Sequence, residues 1–332
     1  MGSGGKAFVA AGRPYHMSFY RAVRAVADAS GDGPIDWAAV AESAKAATDP
    51  GELELSAAER AGYRDDVRAA RDRVREVAGL AFDLPESVEI QHRHHWIDAN
   101  VATFERILRL LDTGPGLFPG VARTVNTGTM AVSVSFLANN VLGQYDPLLL
   151  SAGDGHRLYF VHPNITRVAG TLGVDRERFR RWIAFHEVAH AAEFGAAPWL
   201  ADHMETLIEE TVGDLSQGRF QRDQFREIDL TMTAVEGYAE LLMDCSFDAE
   251  YADLRRELDR RRQGGNPVTQ LLRRLIGIGR KRRQYERGKA FFEAVADARD
   301  VRTAGLVWER PENLPTDEEF EDPAAWLARM GV

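Results

Sequence analysis

Apolar residues recur at steps of three and four through most of the chain, while alternation with period two is confined to one stretch. A period near 3.6 lays an apolar stripe along a helix and period two lays one along a strand face, so the pattern predicts a mainly α chain with a small hairpin or sheet, an α+β fold. Helices are expected to begin near Pro14, at Asp36 and at Ser56, where Ser56 and Glu59 have the spacing of a capping box. The stretch from Ser56 to Val77 is dense in charge, the mark of a solvated amphipathic helix. A further helix is expected from His94 to Asp112, then a loop or boundary in the Gly- and Pro-rich DTGPGLFPGVARTVNTG. Met130 to Leu142, apolar with small residues interspersed, suits a helix packed inside the protein. Between Gly143 and Ile165 the pattern predicts two short strands joined by a Gly-Asp-Gly turn. The chain thus divides into a helical region, 1–128, and a region, 129–332, that carries the candidate chemistry.

That chemistry starts on a helix whose two ends are both marked. Asp175 can cap it, and Gly195 with Pro198 can stop it. Inside lies His186-Glu187-Val188-Ala189-His190. Residues four apart on a helix are turned by only about 40° and rise about 6 Å, so the two imidazoles project from one face and can share an ion at about 2.0 to 2.1 Å. Phe179, Trp182 and Ile183 share that stripe, which turns the histidines toward the core. Glu187 is one residue round the helix, placed to reach a water rather than the metal and to act as general base.

A catalytic zinc site takes three protein ligands and leaves one position open. The metzincin extension would require glycine at Glu193 and histidine at Ala196, and the chain has neither. The better third ligand is Glu236, 46 residues beyond His190 in FREIDLTMTAVEGYAELLMD, beside an inward stripe of Ile228, Met232, Val235, Ala239, Leu242 and Met243. A carboxylate there is costly to bury unless it meets a cation. Glu240 and Asp244, one and two turns on, are the candidates for orienting a liganding imidazole, Glu240 being the nearer. Gly237 in a helix interior points to close approach by a facing helix or by substrate. His203, Tyr238 and Tyr285 are candidate donors to an oxyanion. His92, His94 and His95 lack ligand spacing and suit a loop or surface.

Composition narrows the partners. With 41 basic and 51 acidic residues the formal charge is −10, which repels polyanions and argues against nucleic acid. The single cysteine, Cys245, excludes an internal disulfide and a thiolate zinc cluster, so His, Asp and Glu must supply any ligands. No window approaches about 18 uncharged apolar residues, so no membrane span is expected. The leading MGSGGKAFVAAGRPYH has too short an apolar run for a signal peptide, and Lys6 breaks the myristoylation pattern. A cytoplasmic location is the expectation. Two imidazoles and one carboxylate favour Zn2+.

The runs FVHPNI, FRRWIAFHEVAHAAEFGAAPWL, AVEGYAELLMD, KRRQYERGKAFFEAV and ENLPTDEEFEDPAAWLARM, with DWAAVAESA and HHWIDANVATFERIL in the amino-terminal half, resemble the zincin-like metallopeptidase family. Its members are labelled hydrolases or are associated with coenzyme F-four-twenty biosynthesis. The resemblance covers most of the chain and departs from the family around Leu142 and Gln263, in loops. It implies a helix-rich, zincin-like core in which His186 and His190 match the metal-binding histidines, Glu187 the catalytic glutamate, and Glu236 the glutamate of the EG-containing helix. The expected function is a zinc-dependent hydrolase, most simply a metallopeptidase acting on a peptide. The alternatives are a zincin-fold protein that processes a small metabolite, and a non-catalytic binding, scaffold or cofactor-biosynthesis accessory role.

Overall fold

Residues 35–85, 87–109, 119–147, 156–216, 222–247, 251, 254, 256 and 278–332 are described by a computed structural model of the chain. In chain order the elements are α1 (Trp37–Ala46), α2 (Ala57–Ala78), β1 (Ser87–Gln91), α3 (Arg93–Arg109), α4 (Pro119–Ala138), β2 (Gly143–Asp146), β3 (Arg157–Val161), α5 (His162–Leu172), α6 (Arg176–Ala196), α7 (Trp199–Ser216), α8 (Arg222–Ser246), α9 (Ile278–Ala298), α10 (Val301–Ala304) and α11 (Pro323–Met330). The fold is mainly α with one small sheet. No described helix is long and apolar enough to cross a membrane.

Capping residues set several helix starts. The Asp36 carboxylate accepts from Ala39 N–H at 2.9 Å, and Asp175 accepts from Arg178 N–H at 2.9 Å. At α2, Ser56 Oγ accepts from Glu59 N–H while the Glu59 carboxylate accepts from Ser56 N–H, closing the capping box. Such caps contribute about 1 kcal/mol each by satisfying amides that have no partner within the helix. The helix expected near Pro14, and the Gly-Asp-Gly turn, lie outside the described residues.

Several boundaries differ from the sequence pattern. Helix α4 begins at Pro119, well before Met130, so it takes in part of the Gly- and Pro-rich stretch. Proline is tolerated at a first helical position because its missing N–H would have no intrahelical partner there. The second strand ends at Val161, and His162 and Pro163 open α5 instead of continuing to Ile165. Gly195 does not stop α6, which continues to Ala196. A Cβ at Gly195 would lie 2.8 Å from Phe82 Cβ, so this glycine serves close packing inside the helix.

The expected hairpin is present, with β2 and β3 antiparallel and Tyr145 opposite Leu158. It is joined by β1, parallel to β3 with Ile90 opposite Phe160, which gives the order β1-β3-β2 and leaves β2 at one edge. Beside that edge runs α6, which also packs against α2 and α8. Rather than showing one apolar stripe, α6 is buried on nearly every side, from Phe179 through Ile183, Phe185 and Val188 to Ala192. It is therefore the central helix. The dense charge of α2 is confined to one side. Its other side buries Tyr63, Val67, Ala70 and Val74 against α6, with the buried Asp66 carboxylate 2.6 Å from Arg180 Nε. A second, smaller cluster joins α1, α3 and α4 through Val40, Trp96, Ile97 and Val134.

Helices α8 and α9 cross almost backbone to backbone. A Cβ on Gly237 would lie 2.4 Å from the Gly288 carbonyl carbon, and one on Gly288 would lie 2.3 Å from Thr233 O. The close approach expected at Gly237 is thus by a facing helix, and it fixes the position of the helix that carries Glu236.

Candidate metal centre

His186 and His190 lie on adjacent turns of α6 with ring centroids 4.8 Å apart and planes at 79°. Trp182, one turn earlier, stacks parallel to His186 at 6.0 Å and limits its rotation. Glu236 arrives from α8. One donor atom from each of His186, His190 and Glu236 lies within 4.8 Å of the others, and all three side chains are half-buried. The sequence placed these three together from positions 46 residues apart, and the structure brings them into one group.

Glu187 is buried beside this group. Its carboxylate accepts a hydrogen bond from Tyr145 N–H at 2.8 Å, so the edge strand β2 holds it. Gly143, two residues earlier on the same strand side, makes room: a Cβ there would stand 2.6 Å from Glu187 Cγ. Burial raises the Glu187 carboxyl to about 7, opposed by His190 and the Tyr145 amide and reinforced by Glu236.

The carboxylate that meets His190 is Glu193, with Oε2 2.9 Å from Nδ1. In the sequence Glu193 stands out only as a mismatch to the metzincin pattern, and the orienting carboxylate is expected on α8. Of the two residues named there, Asp244 pairs with Lys289 at 2.6 Å, and Glu240 lies half-buried one turn beyond Glu236. The missed signal is the three-residue spacing from His190, which puts Glu193 on the same helix face. Burial pushes Glu193 up, to about 7, against the pull of its bond to His190. Burial alone would lower His190, but Glu193, Glu236 and Glu187 reverse the sign and hold it above its ordinary value.

The remaining candidates are dispersed. His203, on α7, has Nε2 3.3 Å from Thr231 Oγ1 on α8 and its ring edge-on to Trp199. Tyr238 is fully buried between Phe292 and Trp308, within electrostatic reach of Glu193. The Tyr285 side chain lies outside the described residues. His92 stacks on His95 at 3.8 Å, and His94 Nε2 lies 2.8 Å from Thr48 O, which leaves that cluster in local contacts.

The donor set fits a divalent cation. Two imidazoles and a carboxylate suit zinc, and donor atoms within 4.8 Å of one another need draw in only slightly to share one ion through bonds of about 2.0 to 2.2 Å. Burial pushes both Glu187 and Glu193 up, to about 7, because their charged forms are disfavoured there without a cation. A cation among them offsets the desolvation cost of that charge.

A helix-borne His-Glu-x-x-His completed by a glutamate from a neighbouring helix defines the zincin-like class. The sequence profile of the zincin-like metallopeptidase family matches residues 35–219 and 211–327, and the chain belongs to that family. It is also similar to a crystal structure from Chloroflexus aurantiacus called a putative hydrolase with a novel fold. The identity is 29%, the match covers 96% of this chain and 98% of that one, and the TM-score is 0.69. A search of curated proteins finds no match.

Proposed function

We propose that the protein is a zinc-dependent hydrolase, most simply a metallopeptidase, in which His186, His190 and Glu236 hold the ion and Glu187 is the general base. When bound, zinc would supply Lewis acidity, lowering the pKa of a water toward about 7 and polarising the carbonyl under attack. Glu187 takes a proton from the attacking water onto its carboxylate and returns it to the leaving amine. Tyr145 N–H keeps that carboxylate in place, which limits how far it can swing from its working position. Burial keeps bulk water from competing for the same proton.

The observation that carries this reading is the buried Glu187 carboxylate, fixed by the edge strand next to the His186, His190 and Glu236 donors. A site that only held a structural ion would gain nothing from a carboxylate placed there. The peptide substrate is favoured by the position of β2. It is the outer strand of the sheet and it borders α6, which puts a sheet edge next to the site.

The test is a peptide-library digest by zinc-loaded wild type and by the Glu187→Gln variant. Cleavage by the wild type that falls by about 10²- to 10⁴-fold in the variant, with zinc content unchanged, is expected. Equal cleavage by both proteins would overturn the base assignment.

A further inference from the structure

Glu193 is a completely buried carboxylate, hydrogen-bonded to the His190 side chain at 2.9 Å. The backbone N–H of Ala239, on α8, also reaches this carboxylate. The surroundings are rigid and apolar. Tyr238, fully buried and within electrostatic reach of Glu193, is wedged edge-on against Phe292 at 5.3 Å and Trp308 at 5.6 Å. A Cβ on Gly305 would come within 3.1 Å of the Tyr238 hydroxyl, so this wall closes tightly behind the site. Burying a carboxylate is costly, and in the last turn of α6 the helix dipole also disfavours negative charge. A role that calls for this residue type is the one its geometry already performs. With the Glu193 carboxylate on the Nδ1 side at 2.9 Å, the His190 ring is oriented so that Nε2 is the nitrogen left to coordinate a metal.

We propose that Glu193 is the positioning residue of the metal centre: it fixes the tautomer and ring orientation of His190 and strengthens that imidazole as a donor. This rests on the metal-centre reading above. Carboxylates in this position on a liganding histidine are worth about 10- to 100-fold in metal affinity. The same contact explains why no carboxylate from α8 is needed at His190, since α6 supplies its own three residues on.

The test measures zinc affinity by competition with a chromophoric chelator, and cobalt(II) absorption of the substituted protein, for wild type, Glu193→Gln, Glu193→Ala and His190→Ala. Circular dichroism of the zinc-free proteins checks that each is folded. Wild type binding one zinc, His190→Ala losing it, and both Glu193 variants binding about 10- to 100-fold more weakly with a shifted cobalt spectrum is the expected result. The near-isosteric Gln variant carries the comparison if the Ala variant does not fold. Affinities and spectra of the folded Glu193 variants within about twofold of wild type, while His190→Ala loses zinc, would overturn the role of Glu193 and leave the metal centre standing. Failure of the wild type to bind zinc at all would overturn both.

Discussion

At the scale of single residues, the candidate site depends on which side chains a short strand and a helix terminus hold still. The four-residue spacing made His186, Glu187 and His190 legible, because helix geometry converts that spacing directly into proximity. Glu236 was legible for an energetic reason, as a carboxylate bordering an apolar stripe. Glu193 was not, since in sequence a glutamate three residues past a histidine looks the same whether it is solvated or buried. The Tyr145 amide leaves no trace in residue type, because the group involved is backbone. Gly143 shows how tightly the Glu187 side chain is held. Gly143→Ala would push a methyl into the Glu187 side chain, and we expect kcat to fall on the order of 10- to 100-fold with zinc content unchanged, read from steady-state kinetics and elemental analysis. An unaltered kcat would mean that Glu187 acts from another rotamer.

Among the elements, helices with strong local signals were the most readily predicted. Ser56 and Glu59 marked the start of α2, and Asp175 the start of α6. Strand β1 escaped notice because SVEIQ is short and its partner lies about 70 residues away, so no local turn announces the parallel pairing with β3. The extent of α4 was hidden by glycines and prolines that usually end helices, yet Pro119 sits where a helix tolerates it. The crossing of α8 and α9 carries its own prediction. Gly237→Ala or Gly288→Ala must force the two backbones apart, at a cost of about 1 to 3 kcal/mol or more, and should lower the thermal midpoint by several degrees. Because Glu236 rides on α8, zinc affinity should fall in the same variants. Unchanged melting would show that the helices are free to separate.

Across the whole molecule, ion pairs brace the carboxy-terminal segment internally and tie it to α8 and α9. Glu319 receives Arg329 through two hydrogen bonds, at 2.6 and 2.8 Å, and Asp317 bridges Arg287 of α9 and Arg226 of α8. The Arg329 bond holds Glu319 below its ordinary 4.5, and Arg287 with Arg226 holds Asp317 below 3.8. Carboxyls depressed in the fold contribute stability that is present above their unfolded values and is lost as pH falls through the folded ones. The urea midpoint of the zinc-free protein should therefore decline as pH drops below about 4.5, and Glu319→Gln should flatten that decline. Equal slopes for the two proteins would remove Glu319 from the account.

Metal and fold should be coupled, because the ion would join α6 to α8. Chelation should lower the thermal midpoint by several degrees, in proportion to the logarithm of zinc excess over its dissociation constant. The central claim, that one divalent cation is held by two histidines of α6 and a glutamate of α8, is tested most directly by anomalous diffraction at the zinc edge from crystals of the zinc-loaded protein. A single strong peak within about 2.2 Å of His186 and His190 nitrogens and a Glu236 oxygen is the predicted result. A zinc peak elsewhere, or none between these three side chains at full zinc loading, would contradict it.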